Sequence, residues 1–147
     1  MIGRMMVALA ALSTGRVVAA SAQEVWQADV RIQSLEVTGG RGSIAIRVVV
    51  TSDNDDDAVG VRLDVLLPVG AGVMRLAQGC RASPSPVANL AARVTCDLGT
   101  IVVRGLREVT IAASTPAPGP GHKVAVFVMS DTPDPEPANN YAERMVP

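Results

Sequence analysis

The sequence has few aromatic residues, since Trp26, Phe127 and Tyr141 are the only three in a chain of 147 residues. Proteins that bind sugars or nucleic-acid bases stack them on exposed aromatic rings, so this scarcity argues against a stacking surface. An excess of basic residues is also missing, because 13 basic side chains are set against 14 acidic ones and the formal net charge is −1. Nucleic-acid binding depends on clustered Lys and Arg, and we therefore expect no nucleic-acid partner.

Catalytic motifs are equally scarce. The single histidine, His122, lies in a Gly- and Pro-rich stretch with no Gly-x-Ser-x-Gly nucleophile motif beside it. The carboxylates of Asp131 and Asp134 lie in a polar segment that lacks apolar neighbours to raise one pKa for acid-base catalysis. No phosphate-binding glycine motif is present. We expect a non-enzymatic protein, and a hydrolase that uses Ser130 or His122 is the alternative.

Apolar residues are plentiful at the N-terminus, where residues 1–22 have the composition of a cleaved signal peptide. A basic residue precedes an apolar run, and the small residues at positions 20–22 fit the small-x-small cleavage rule. A retained membrane anchor is the alternative, but Arg16 interrupts the apolar run well short of the ~20 residues that a spanning helix needs. We therefore expect export, cleavage before Gln23 and no membrane span in the mature chain.

The two cysteines, Cys80 and Cys96, stand close together in the sequence. In an oxidising compartment, an even pair at short spacing most simply closes a local disulfide loop. A zinc site is the rival interpretation, but it would need about four ligands and only His122 is left to help. We predict a Cys80–Cys96 disulfide, which by the chain-entropy model stabilises the fold by about 3 kcal/mol.

The mature chain has the two-residue periodicity of β-strands. Two stretches place four aliphatic side chains each on one face: Ile44, Ile46, Val48 and Val50, then Val61, Leu63, Val65 and Leu67. Residues 107–114 and 122–130 continue the alternation, and the segments between these runs are rich in Gly and Pro. This pattern predicts two antiparallel sheets packed as a sandwich. Within residues 87–94, VANLAARV, we predict one helical turn.

Five blocks of the sequence together resemble a known family: NDDDAVGVRLDVLLPVGAGV, GC, VTCDLGTI, VTIAAS and SDTPDPEPANN. They resemble the successive blocks of the bacterial domain of unknown function 11, an immunoglobulin-like repeat of secreted and surface proteins. The resemblance covers about residues 29–146 in a single copy. It implies an all-β, immunoglobulin-like antiparallel β-sandwich of about seven strands over residues 29–147, after a lead-in at residues 23–28.

The block SDTPDPEPANN, residues 130–140, combines three prolines with three acidic residues and two adjacent asparagines. Each proline fixes φ and removes an amide donor, so the segment resists joining a β-ladder. The asparagines suit a tight turn before a last strand at residues 141–146. The segment is therefore predicted to be a rigid connection, with a binding loop as the alternative.

An acidic loop offers a weak calcium candidate. Asp53, Asp55 and Asp57 match positions 1, 3 and 5 of a calcium loop, and Asp64 falls at position 12. Position 6 is Ala58, where the sharp turn requires glycine. An acidic, solvated turn between strands is the other interpretation.

These observations lead to two hypotheses about function. The first is an exported, non-enzymatic structural or adhesion-like module of the bacterial envelope or extracellular space, which binds an unknown protein partner through loops or an exposed strand edge. The second is a periplasmic or extracellular domain that binds calcium or a small ligand through the acidic loop at residues 53–64. No cofactor other than calcium is expected.

Overall fold

The computed structural model describes residues 24–40, 42–87, 90–115 and 122–147. Nine antiparallel strands account for most of these residues, and the one helix among them is a 3-10 turn at Pro137–Asn139. The strands are β1 (Asp29–Gly40), β2 (Ser43–Asp53), β3 (Ala58–Pro68), β4 (Gly72–Arg75), β5 (Cys80–Pro84), β6 (Leu90–Ile101), β7 (Leu106–Ser114), β8 (Lys123–Met129) and β9 (Tyr141–Met145).

The strands form two sheets that pack face to face. The four-stranded sheet has the order β1-β2-β7-β4, and the five-stranded sheet has the order β5-β6-β3-β8-β9. The chain changes sheets five times, after β2, β3, β4, β6 and β7, which brings strands distant in sequence side by side. This division of the strands is that of an immunoglobulin-like sandwich, so the predicted fold class is confirmed.

The core consists of aliphatic side chains from the inner faces of both sheets. All eight residues predicted to alternate inward on β2 and β3 are at most 2% exposed. The largest fully buried side chains are Ile46, Leu63, Leu67, Ile101 and Ile111. Burying one such side chain stabilises the fold by about 1.5–3 kcal/mol, so the inward-facing residues of these strands contribute strongly to the stability of the sandwich.

Two details differ from the sequence prediction. The described residues contain nine strands instead of about seven, because the short strands β4 and β5 arise in Gly- and Pro-rich segments that we assigned to loops. The predicted helical turn at residues 87–94 is wrong over Leu90–Val94, which belong to β6. Residues 88–89 lie outside the described residues. Because β6 is bonded to β3 on one side and β5 on the other, its backbone has ladder partners that one isolated helical turn would lack.

The structure describes only part of the N-terminal region. The proposed signal peptide at residues 1–22 and the new N-terminus at Gln23 lie outside the described residues. Residues 24–28 have no regular secondary structure, and β1 begins at Asp29. In the described part of the chain, no helix has both the length and the apolar composition needed to cross a membrane.

Candidate functional site

The outer face of the five-stranded sheet has an exposed aromatic pair. Phe127 on β8 lies opposite Tyr141 on β9, with ring centroids 5.4 Å apart in an edge-to-face arrangement. Phe127 is 46% exposed and Tyr141 is 44% exposed, while the inward-facing neighbours Val126 and Val128 are buried. Met129 and Met145 are exposed on the same face by strand alternation. We call Phe127, Met129, Tyr141 and Met145 the aromatic patch.

A hydrogen-bonded group of charges holds the tyrosine in place. One carboxylate oxygen of Glu143, Oε2, accepts a hydrogen bond from the Tyr141 hydroxyl at 2.6 Å and another from Lys123 Nζ at 2.9 Å. The hydrogen bond from Tyr141, followed by the bond from Lys123, lowers the pKa of Glu143. The same bond to Glu143 raises the pKa of Tyr141. The ring therefore has a fixed polar anchor beside an open apolar surface.

The rest of this face becomes polar and then basic toward β5. Asp64 on β3 accepts a hydrogen bond from the Thr95 hydroxyl at 2.7 Å, and Arg62 contacts Asp131 at 3.4 Å. Arg81 on β5 lies opposite Thr95, and Arg93 on β6 lies opposite Ser83. The outer face thus carries the aromatic patch on β8 and β9, and it carries charged and polar side chains on β3, β6 and β5.

The outer face of the four-stranded sheet differs from that of the five-stranded sheet. Arg47 on β2 lies between Glu36 on β1, at 3.5 Å, and Glu108 on β7, at 2.8 Å. The hydrogen bond with Glu108 raises the pKa of Arg47 and lowers the pKa of Glu108. All of these side chains are about half exposed, and such solvated ion pairs stabilise a protein by at most ~1 kcal/mol. This face lacks an aromatic residue in the described strands.

The segment at residues 130–140 fastens the start of β1. Asp134 accepts three hydrogen bonds: from the Val30 backbone N–H at 3.2 Å, from Asn140 Nδ2 at 2.9 Å and from the Glu136 backbone N–H at 2.8 Å. The backbone N–H of Ala28 also donates to the Pro133 carbonyl at 3.1 Å. The segment connects β8 to β9 without joining a ladder, as predicted, and Asp134 gives it a specific role that we did not predict.

The acidic loop is tied to its neighbours by separate contacts. Asp53 pairs with Arg31 at 2.8 Å, Asp57 accepts the Val103 backbone N–H at 2.9 Å, and Asp64 lies in the middle of β3 with its bond to Thr95. Asp55 has no hydrogen-bond partner in the described chain and lines a shallow groove with Glu24, Val25, Trp26 and Asp56.

The structure does not gather the four calcium candidates into one set. Within the described residues, no three acidic, histidine or cysteine side chains are placed so that they could hold one metal ion. Asp64 is separated from the loop because it belongs to the middle of a strand, as its outward position in the alternation predicted. Calcium binding by Asp53, Asp55, Asp57 and Asp64 stays a prediction.

The two residues of the hydrolase alternative are far apart. His122 precedes β8 and Ser130 follows it, so a whole strand separates them, or roughly 26 Å at the ordinary rise of a β-strand. The Ser130 hydroxyl donates to the Thr132 carbonyl at 2.6 Å, and the His122 carbonyl accepts the Val146 backbone N–H at 2.9 Å. These two side chains are therefore not brought together.

The Cys80–Cys96 disulfide is confirmed. The two residues lie opposite each other on β5 and β6, with Cα atoms 4.0 Å apart, and Cys96 is fully buried. The bridge joins neighbouring strands of one sheet, in contrast to the inter-sheet bridge of antibody domains. It fastens the edge strand β5, whose single strand neighbour is β6.

Sequence reasoning missed the aromatic patch, although a signal for it is present. In the run KVAVFVM, burying Val124, Val126 and Val128 on one face necessarily places Lys123 and Phe127 on the other. The same alternation in YAERM places Tyr141, Glu143 and Met145 outward. What the sequence alone did not reveal is that these two strands are neighbours, which brings the rings together.

Comparisons with known proteins give only distant structural likenesses. No protein-family model and no curated protein matches the chain. A crystal structure of an uncharacterized protein from Nocardia farcinica, which reveals an immunoglobulin-like fold, is 16% identical, with a TM-score of 0.46, and the match covers 77% of this chain and 96% of that one. A GH20 exo-β-N-acetylglucosaminidase from Vibrio harveyi is 11% identical, with a TM-score of 0.33, and the match covers 83% of this chain but only 17% of that chain. The strand order of this chain itself defines the fold.

Proposed function

We propose that the chain is an exported, non-enzymatic protein-interaction module that binds its partner through the aromatic patch on the five-stranded sheet. The observation that carries this proposal is that the chain keeps its scarce aromatic side chains out of the core. Phe127 and Tyr141 form a contiguous pair on one face, and Trp26 is 69% exposed elsewhere. Exposed aromatic and Met side chains with a polar surround are typical of the centres of protein interfaces.

The geometry of the pair favours a protein partner over a sugar. Sugar-binding platforms present a ring face that lies flat against the ligand, whereas the planes of Phe127 and Tyr141 are inclined at 66° to each other. An edge-to-face pair with the flexible side chain of Met129 beside it on β8 suits an irregular apolar surface. The charged group of Lys123 and Glu143 at its side would form the polar rim of such an interface.

Two features support export to the envelope or extracellular space. The Cys80–Cys96 disulfide is typical of oxidising compartments. The composition of residues 1–22 is that of a signal peptide. We propose that the mature module acts there by binding, without a catalytic step, because acidic side chains such as Asp134 and Asp57 accept bonds from groups within the fold.

Site-specific photo-crosslinking in the native host tests the proposal. A photoreactive amino acid replaces Phe127 in one variant and Thr110, at the centre of the opposite outer face, in a control variant. We expect a discrete crosslinked protein from position 127 and none from position 110. Equal crosslinking from both positions, or from position 110 alone, would contradict the proposed interface.

A further inference from the structure

The last strand, β9, leaves a free row of main-chain donors and acceptors. In its ladder with β8, the Val128 N–H donates to the Asn140 carbonyl and the Val146 N–H donates to the His122 carbonyl, both at 2.9 Å. Because bonded residues alternate along an antiparallel ladder, the N–H and C=O groups of three residues point away from β8. These residues are Tyr141, Glu143 and Met145. In the described chain, β9 is bonded to β8 alone, so this edge has no strand partner.

The two edges of the four-stranded sheet are less suited to accept another strand. On β1, the Val30 N–H is bonded to Asp134, and the Leu35 carbonyl accepts a bond from Arg144 Nε at 3.3 Å. β4 has only four residues, and its pairing with β7 is irregular between Val73 and Arg75. A partner strand would therefore meet two occupied groups on β1, or a short, bent edge on β4.

The other edge of the five-stranded sheet has few open N–H groups. On β5, the Cys80 N–H already donates to the Ala77 carbonyl at 3.2 Å, and Pro84 has no N–H. Edge strands are commonly protected in this way against unwanted pairing. The edge of β9 thus has more open main-chain groups than β4 or β5, and unlike the edge of β1 it lies directly beside the aromatic patch.

We propose that the free edge of β9 accepts an extended strand of the partner protein, a mode of binding that rests on the proposed function and gives it a mechanism. The three outward-facing residues can form about six main-chain hydrogen bonds with an antiparallel strand. The side chains of the added strand that lie on the outer face would then sit beside Tyr141, Glu143 and Met145.

The side chains beside the edge indicate the sequence of the partner strand. Tyr141 and Met145 offer apolar surface at the two ends, and Glu143 offers a carboxylate between them. Both of the hydrogen bonds that Glu143 accepts end on Oε2, which leaves Oε1 open to a further donor. The complementary strand is therefore apolar-x-basic-x-apolar, because opposite charges and apolar pairs stabilise cross-strand neighbours.

The same residues argue against a second copy of this chain as the partner. Full antiparallel pairing of β9 with itself would place the Glu143 carboxylates of the two copies directly opposite each other. Like charges at directly opposed positions destabilise a ladder. Registers that avoid this contact pair only part of the five-residue strand. The partner strand thus comes from a different protein.

A peptide experiment on the mature, oxidised protein tests the proposal. The probe is the capped peptide Thr-Val-Thr-Lys-Thr-Val-Thr, and its counterpart has Glu in place of Lys. At millimolar concentration we expect the Lys peptide to slow hydrogen exchange at the amides of Tyr141, Glu143 and Met145, and to bind about tenfold more tightly than the Glu peptide. No slowing at these three amides, or slowing on β5 instead, overturns the proposal.

Two variants separate the main-chain contribution from the charge. Glu143→Pro removes an outward N–H that does not bond to β8, whereas Glu143→Thr removes the carboxylate but keeps the N–H. We expect the proline variant to lose binding of both peptides, and the threonine variant to bind them without distinguishing Lys from Glu. Unchanged binding by the proline variant overturns strand addition.

A third experiment, with N-methylated peptides, tests strand addition even if the proline variant does not fold. Peptides N-methylated at alternate residues are added to the native protein, so that methyl groups occupy either the side facing β9 or the side facing solvent. We expect binding to be lost for the first set alone, and equal binding by both sets contradicts the proposal. If crosslinking from position 127 persists while all peptide arms fail, the interface stands and only strand addition is wrong.

Discussion

At the residue scale, the described acidic side chains act largely as acceptors for backbone and side-chain donors within the fold. Asp134 is the clearest case, because it receives N–H groups from the start of β1, from its own turn and from Asn140. Asp57 acts similarly toward Val103. The acidic composition of these loops therefore has a structural explanation that does not require a ligand.

Replacing Asp134 with alanine should destabilise the protein substantially. The N–H of the buried residue Val30 and the Asn140 amide would lose their acceptor, and each unsatisfied group costs about 1–3 kcal/mol. We expect Asp134→Ala to lower the free energy of unfolding by about 2–4 kcal/mol in urea denaturation. Asp55→Ala is the matched control and should change it by less than about 0.5 kcal/mol. Equal effects of the two substitutions would contradict the role assigned to Asp134.

Because Tyr141 is the only tyrosine of the chain, the ionisation of its hydroxyl can be followed directly. Because the hydrogen bond to Glu143 raises the pKa of Tyr141, its phenolate should form only above the ordinary pH of about 10. Glu143→Gln should lower this pKa toward its ordinary value, and the distant Glu108→Gln should leave it unchanged. Ultraviolet titration measures it, and a pKa at or below the ordinary value in the native protein would show that the bond is absent in solution.

The pH dependence of this contact follows from the two shifts. The pKa of Tyr141 is raised, so its contribution to stability is complete below about pH 10 and is lost as the pH rises through the folded-state pKa. The pKa of Glu143 is lowered, so its contribution is complete above about pH 4.3 and is lost as the pH falls through the folded-state pKa. The patch should therefore keep its geometry throughout the neutral range.

At the element scale, the hairpin of β5 and β6 depends on its covalent bridge. β5 has five residues and is bonded to β6 alone, and its exposed side chains bury little apolar area. We expect replacement of Cys80 and Cys96 by alanine to lower the free energy of unfolding by about 3 kcal/mol, the value for a loop of this length. The melting temperature should fall by about 10 °C, as it should for the reduced native protein.

Hydrogen exchange shows where removing the bridge has its effect. Removing the bridge should lower the protection of β2 and β3 by the loss of global stability, and it should lower that of the Arg81 and Ser83 amides, which are bonded to β6, by more. An equal loss of protection at all of these amides would show that the bridge does not fasten β5 locally.

The strands that could be predicted from the sequence are those whose alternation is strong. β2 and β3 each place four aliphatic residues inward, and no other element competes for that pattern. β4 and β5 could not be predicted because they are short, contain Gly or Pro and gain stability only from neighbours distant in sequence. The start of β6 was misassigned for a related reason, since Leu90, Ala91 and Ala92 favour a helix locally and become a strand only between β3 and β5.

At the scale of the whole molecule, the two outer faces of the sandwich differ in character. One presents solvated ion pairs around Arg47, and the other presents Phe127 and Tyr141 beside a free strand edge. The sequence alone predicts that Phe127 points outward, but only the order β3-β8-β9 places it next to Tyr141. The candidate site is therefore a product of topology, and the disulfide-bonded hairpin completes the same sheet at its other side.

The most direct test of the proposed interface is the dissociation constant of the partner that is captured through position 127. It should be measured for the native chain, for Phe127→Ser and for Leu106→Ser, which removes a side chain of similar exposure from the other outer face. We predict that Phe127→Ser weakens binding at least about tenfold, as truncation of a central aromatic side chain does, and that Leu106→Ser leaves it unchanged. Equal affinities for the native chain and Phe127→Ser, or a loss confined to Leu106→Ser, would contradict the assignment of this face as the binding surface.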